Sequence, residues 1–113
     1  MNDRELLELA AKAIGEEGYW ADYPGMGTRT GYQGAMKLDG YYWNPLTHDG
    51  DAFRLAVALG ISVWHRTTIS KVYACGPVTD KCFALEVERL PDPDAATRMA
   101  IVMVAAQIGR QME

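Results

Sequence analysis

The fold is decided most clearly by residues 43–68, which read WNPLTHDGDAFRLAVALGISVWHRTT. Pro45 ends an extended segment, because the residue before a proline is driven away from the α region. Thr47 and Asp49 are both suitable N-caps for a helix that follows. Gly60 ends this helix, since glycine adopts the left-handed conformation of a helix C-terminus at little cost. The predicted apolar face of the helix comprises Ala52, Phe53, Leu55, Ala56, Val57 and Leu59.

Strands are predicted directly after this helix. Along 61–68, Ile61, Val63, His65 and Thr67 fall on one face, and Ser62, Trp64, Arg66 and Thr68 fall on the other. Residues 69–75 and 81–90 form two more strands, and the short connections between the three favour an antiparallel meander. A further short strand or hairpin is expected at 32–38 and 41–43, although glycine weakens a strand interior.

Helices are predicted near both ends of the chain. Between Asp3 and Gly15 the apolar residues recur at helical spacing and form one stripe. In Asp92-Pro93-Asp94 an acid serves as the cap and proline takes the first helical position, where its missing N–H costs nothing. Residues 99–106 are apolar all round, so this last helix should pack on the sheet and also meet the first helix or a second subunit.

The 113 residues therefore predict one α+β domain spanning 1–113, in which a three- to four-stranded antiparallel sheet packs with three helices. A homodimer through the C-terminal helix follows as a hypothesis. The net charge of −4 argues against a nucleic-acid partner, because phosphate binding calls for a basic surface. No apolar run approaches the roughly 20 residues that span a bilayer, and the first residues lack an apolar signal core. We expect a soluble cytoplasmic protein.

A glycine-rich region with several aromatic residues occupies about 16–40, and regular structure is not expected over most of it. Its aromatic residues are Tyr19, Trp20, Tyr23 and Tyr32. Large aromatic side chains on an adaptable backbone are typical of binding surfaces. The same side chains would equally fold back as a lid over the core. Both interpretations stay open at this point.

Little in the sequence indicates catalysis or metal binding. His48 and His65 lie 17 residues apart on different elements, with no further histidine or cysteine at ligand spacing. Cys75 and Cys82 are the only thiols, and a turn over 77–80 would place them opposite each other across a hairpin. They form either a redox-sensitive clip or, as we favour, two half-buried thiols kept reduced. The sequence thus predicts no catalytic residue, no metal and no cofactor.

Two segments resemble a known family. Residues 42–57, YWNPLTHDGDAFRLAV, look like the signature of small phage and prophage proteins that carry the phage alpha-beta-alpha sandwich domain. Residues 91–102, PDPDAATRMAIV, are similar to the closing helix of that family, and residues 5–15 match its opening helix loosely. The resemblance implies an antiparallel sheet between helical layers and a phage origin, with no established activity. It does not extend to 16–40 or to the 75–82 hairpin.

The corner at 43–49 has two explanations. In the structural one, Trp43 fills the core, Asn44 closes the turn with its side chain and Pro45 sets the entry angle of the helix. In the functional one, the same residues form a ligand-binding corner.

Two functions are consistent with these features. The first is a non-enzymatic phage accessory protein that binds and modulates a host protein, for example as an inhibitor of a defence system. The alternative is a protein that binds or sequesters a nucleotide-like small molecule, in which aromatic side chains stack on the base and Arg29 or Arg54 holds the phosphate. The predicted binding residues are Tyr19, Trp20, Tyr23, Arg29, Tyr32, Trp43, Asn44, Asp49 and Arg54.

Overall fold

The computed structural model describes residues 2–21, 35–38, 41–78 and 81–112, with the backbone alone at 21, 78 and 81–84. The described residues form helices α1 (Asp3–Ala13), α2 (Asp49–Leu59) and α3 (Pro93–Gln111). They form strands β1 (Tyr19–Ala21), β2 (Ala35–Leu38), β3 (Tyr41–Trp43), β4 (Ser62–Arg66), β5 (Lys71–Val78) and β6 (Lys81–Glu88). The strands make two antiparallel sheets, in the orders β1-β2-β3 and β4-β5-β6. The predicted α+β class is confirmed, with the strands divided between two sheets instead of one.

Helix α3 lies at the centre of the molecule. It packs on β5 and β6 on one side and against α1 and α2 on the other. Ala100, Val102, Val104 and Ala105 are completely buried as a result. The prediction that the last helix packs on the sheet and on the first helix is confirmed, and packing within the chain accounts for its apolar perimeter.

The β4–β6 sheet has one buried and one exposed face. Val72 and Ala74 of β5 are completely buried on the side of α3. On the other side Trp64 stacks on its cross-strand neighbour Tyr73, with ring centroids 5.4 Å apart. Charged residues continue that outer face, where Trp64 is 42 % exposed. The described helices leave this face exposed.

The ends of α1 and α3 follow the sequence closely. The Asn2 side chain accepts a hydrogen bond of 2.8 Å from the Glu5 N–H at the start of α1. Asp92 accepts from the N–H groups of Asp94 and Ala95, with Pro93 as the first residue of α3. These caps satisfy backbone donors that have no partner inside the helix.

The start of α2 corrects a prediction. The residue that precedes the helix is His48, which makes no side-chain capping bond, so neither Thr47 nor Asp49 is the cap. The Thr47 hydroxyl instead lies 2.7 Å from His48 Nδ1 and 3.4 Å from the Asn44 carbonyl oxygen. Asp49 faces Arg98. The predicted end is confirmed, because Gly60 has φ +68° in the left-handed region.

The strands after α2 differ from the predicted ones at their ends. β4 ends at Arg66, and Thr67–Ile69 form a turn of 3-10 helix. The predicted hairpin register is wrong by two residues: Cys75 lies opposite Ala84, and Cys82 lies opposite Pro77. β5 passes through Pro77 because the β4 ladder already ends at Cys75, and a strand tolerates a residue without N–H where no neighbour needs it. Cys75 is disulfide-bonded, in contrast to the reduced thiol that we favoured. The Cys82 side chain lies outside the described residues.

Candidate functional site

A groove of about 730 Å³ lies between α2, β4 and the N-terminal half of α3. Its apolar walls include Phe53 and Val57 from α2, Val63 from β4 with Ile61 just before it, and Ile101 from α3. Asp49, His65, Asp94, Thr97 and Arg98 supply its polar lining. The volume falls in the usual range of ligand and peptide pockets, roughly 300–1,000 Å³.

Phe53 and Val57 are the most exposed apolar side chains of this groove. They are 69 % and 65 % exposed, which corrects the prediction that they belong to the core face of α2. They lie about 100° and 140° around the helix from Ala52, whereas the buried side of α2 is formed by Ala52 and Leu55. As residues i and i+4 they are neighbours on successive turns and form one continuous surface.

An arginine fixes one end of the groove. Arg98 Nη1 lies 2.6 Å from Asp49 Oδ1, and Arg98 Nε donates to the Leu46 carbonyl oxygen at 2.8 Å. The Arg98 side chain is 17 % exposed, whereas that of Asp49 is 78 % exposed. The guanidinium therefore ties α3 to the turn before α2, and the carboxylate faces solvent.

His65 connects three segments beside the same end. Its Nδ1 accepts a hydrogen bond of 3.1 Å from Arg89 Nε, and its Nε2 lies 3.3 Å from Thr97 Oγ1. Thr97 donates its own proton to the Pro93 carbonyl oxygen, so its hydroxyl accepts from the Nε2–H of a neutral imidazole. Both ring nitrogens are thus engaged, and His65 joins β4 to α3 and to the segment before it.

The wall formed by β4 is also a sheet edge. β4 pairs with β5 on one side, and no described strand pairs with its other side. On an edge strand, alternate residues direct their backbone N–H and C=O groups away from the sheet. The groove therefore combines apolar side chains with backbone hydrogen-bonding groups.

The outer face of the same sheet carries a charge cluster. The Lys71 ammonium lies 3.5 Å from Glu86 Oε2 and also contacts Glu88, and Tyr73 donates a hydrogen bond of 3.0 Å to Glu86. The hydrogen bond to Glu88, together with the charge of both carboxylates, raises the pKa of Lys71. Desolvation, followed by the hydrogen bond to Glu86, raises the pKa of Tyr73.

The predicted site residues within the described part of the chain lie in different places. Trp43 and Asn44 are buried, at 4 % and 5 % exposure, and the Asn44 side chain accepts from the Leu46 N–H at 2.9 Å. This arrangement matches the structural explanation of the 43–49 corner, in which Trp43 fills the core. Among the predicted residues that the structure describes, Asp49 alone lines the groove.

The other predicted residues lie elsewhere. Arg54 is bound to Asp51 at 2.7 Å and borders a smaller pocket of about 320 Å³ with Tyr41 and Trp43. Tyr19 is 64 % exposed, and Trp20 packs against the core. Tyr23, Arg29 and Tyr32 fall outside the described residues, so the role of the 16–40 region stays a prediction.

Sequence reasoning missed Phe53, Val57, His65 and Arg98 as groove residues. A signal for the first two was present, because the apolar arc of α2 is wider than one buried face needs. The ion pair of Arg98 had no signal, since Asp49 precedes it by 49 positions in the chain.

In 2–21, 35–38, 41–78 and 81–112, no group of three or more His, Cys, Asp or Glu side chains is placed to hold a metal ion. Within the same ranges, no helix combines the length and apolar character needed to cross a membrane.

The chain is thus an α+β domain that carries an apolar groove beside a sheet edge. Comparison of the chain with family models, curated proteins and solved structures finds no match. The phage family resemblance therefore stays a prediction.

Proposed function

We propose that this protein is a non-enzymatic binding protein that docks on another protein through the groove between α2 and β4. The observation that carries the proposal is the exposure of Phe53 and Val57, 69 % and 65 %, on adjacent turns that face the groove. Burying apolar surface is favourable by roughly 25 cal/mol per Å², so a partner that covers these side chains gains free energy. Contiguous exposed apolar surface rimmed by polar groups is typical of interaction sites.

The polar rim supports binding rather than bond-making chemistry. Arg98 is engaged by Asp49 and Leu46, and His65 by Arg89 and Thr97. These contacts hold α3, β4 and the start of α2 in fixed relation. A preformed groove binds with a smaller loss of conformational entropy than a surface that must first be ordered.

The identity of the partner follows from the family resemblance alone. If the chain is a phage protein, the partner is a protein of the bacterial host, and docking would alter the activity of that protein. The protein would then act as a modulator of a host protein.

A nucleotide-like ligand is the second candidate. One observation favours it: Arg54, Tyr41 and Trp43 border the smaller pocket of about 320 Å³. An arginine beside aromatic side chains is suited to a base and a phosphate. Its test is a thermal-shift screen with nucleotides, in which the stabilisation must disappear in Arg54→Gln.

The main proposal is tested by selecting binders from a displayed library of bacterial protein fragments on the wild-type protein. Each clone is then measured against Phe53→Ser/Val57→Ser and against Trp64→Ser. Trp64 is the matched control, because it is also an exposed aromatic residue but lies on the outer face of β4. We expect at least about a tenfold loss of affinity for the double variant, equal to about 1.4 kcal/mol, and no change for Trp64→Ser. Clones that bind the double variant as tightly as the wild type would refute the groove as the docking site.

A further inference from the structure

We propose that the segment held in the groove is an extended apolar peptide that adds a strand to the free edge of β4, with a Lys or Arg beside Asp49 and Asp94. This inference rests on the proposed function and specifies the chemistry of its partner. Backbone pairing, side-chain spacing and charge each contribute to it.

Backbone pairing favours an extended segment. The outer edge of β4, residues Ser62–Arg66, has no partner strand among the described residues. A peptide in β conformation pairs its own N–H and C=O groups with this edge, which is a common mode of peptide recognition. A helical peptide bonds its backbone internally and leaves the edge of β4 unpaired.

The side chains of β4 set the spacing. Val63 and His65 of β4 both line the groove, two residues apart, as alternate positions of a strand do, and Ile61 lines it just before the strand. A paired peptide would direct its own alternate side chains to the same side. There they would lie between β4 and the exposed Phe53 and Val57 of α2.

The charge at one end of the groove is complementary to a cation. Asp49 and Asp94 are exposed and line the groove. Asp49 and Arg98 form an ion pair, so Asp94, which has no ion-pair partner among the described residues, leaves this end with net negative charge. Thr97 is close to His65, so this acidic end lies near the C-terminal end of β4. The net charge of the chain, −4, acts in the same direction. A basic residue at that end of the peptide is therefore favoured over an acidic one.

The test uses labelled synthetic peptides of about ten residues, a usual strand length, in which Val and Thr alternate. One carries Lys at the N-terminus, one carries Lys at the C-terminus, and each has a matched Glu version. Fluorescence anisotropy then gives the affinity for the wild type, Phe53→Ser and Met112→Ser, the last as a control at an exposed apolar residue beyond the far end of α3. A last pair carries N-methyl groups on alternate amides, in one register or the other, which removes hydrogen-bond donors from one edge of the peptide.

One of the Lys peptides should bind about three- to fivefold more tightly than its Glu version, the effect of about 1 kcal/mol expected for a rim charge. Asp94→Asn should reduce the difference in affinity between the Lys peptide and its Glu version. Phe53→Ser should weaken binding while Met112→Ser should not. N-methylation in one register should abolish binding, and N-methylation in the other register should leave the affinity unchanged.

Three results would overturn the inference: tighter binding of a same-composition peptide with helical apolar spacing, equal binding of both N-methyl registers, or no binding of any peptide. In each case, the groove would remain supported as a docking site if the affinity of the displayed fragments still depended on Phe53. The two proposals therefore fail separately.

Discussion

At the residue scale, the buried carboxylate of Asp51 stabilises the turn that precedes α2. Asp51 is 4 % exposed, and its Oδ2 accepts a hydrogen bond of 2.9 Å from the Asn44 N–H. Its Oδ1 accepts from Arg54 at 2.7 Å. The Asn44 side chain in turn bonds the Leu46 N–H. The first bond joins the turn to the first turn of the helix and the last closes the turn itself, and together they set the angle at which α2 leaves the turn.

Asp51→Ala should lower the free energy of unfolding by about 1–3 kcal/mol, because it leaves a buried N–H without its acceptor. Glu8→Ala is the matched control, since Glu8 also pairs with an arginine on a helix but is about half exposed, at 49 %. It should cost less than about 0.5 kcal/mol, the usual value of such a surface pair. Urea unfolding of both variants provides the measurement. Equal losses would show that the buried acceptor has no special role.

At the element scale, two helical glycines have opposite surroundings. A Cβ at Gly109 of α3 would collide with the Leu9 carbonyl oxygen of α1, a backbone atom that cannot turn aside. A Cβ at Gly50 of α2 would meet only the flexible guanidinium of Arg54, at 3.2 Å. The close crossing of α1 and α3 therefore depends on Gly109.

Gly109→Ala should lower the free energy of unfolding by about 1–3 kcal/mol or more, because the added methyl group overpacks the helix crossing. Gly50→Ala should be neutral or stabilising by up to about 1 kcal/mol, because alanine is the better helix former. Thermal unfolding monitored by circular dichroism distinguishes them. If both variants unfolded at the same temperature, the helix crossing would not depend on the missing side chain.

Helix α2 has one buried and one exposed apolar surface. Leu55 is 1 % exposed, so Leu55→Ala should cost about 2–5 kcal/mol by creating a cavity. Phe53→Ser and Val57→Ser should each change stability by no more than about 0.5 kcal/mol, because both side chains already face solvent. Chemical unfolding of the three variants checks this. Losses at positions 53 and 57 as large as at 55 would mean that the groove closes over them.

The sequence predicts elements better than it predicts which of their faces are covered. Caps such as Asp92 and stops such as Gly60 were found because they depend on neighbours in the chain. The exposure of Phe53 depends on where α3 and β4 lie, and this is long-range information. The division of the strands between two sheets and the β5–β6 register are of the same kind. The groove was therefore missed, although its residues are apolar in the sequence.

At the scale of the whole molecule, the two faces of the β4–β6 sheet are stabilised by different kinds of interaction. The inner face holds α3 through buried residues such as Val72 and Ala74. The outer face is held by the ion pairs of Lys71 with Glu86 and Glu88 and by the hydrogen bond from Tyr73 to Glu86. A change of pH acts on the second set of contacts and leaves the first intact. The sheet thus has one contribution to stability that is sensitive to alkali.

The pKa values of Lys71 and Tyr73 are both raised, so between their unfolded and folded pKa values the folded state binds more protons than the unfolded one. The stability that these two groups supply is complete below about pH 10 and is lost as the pH rises through their folded pKa values. Urea midpoints measured from pH 8 to pH 11 should therefore fall, and Lys71→Met/Tyr73→Phe should flatten that fall. Glu86→Gln should flatten it in part, because it removes one carboxylate that both groups face. A double variant that loses stability as steeply as the wild type would place the alkaline sensitivity outside this face.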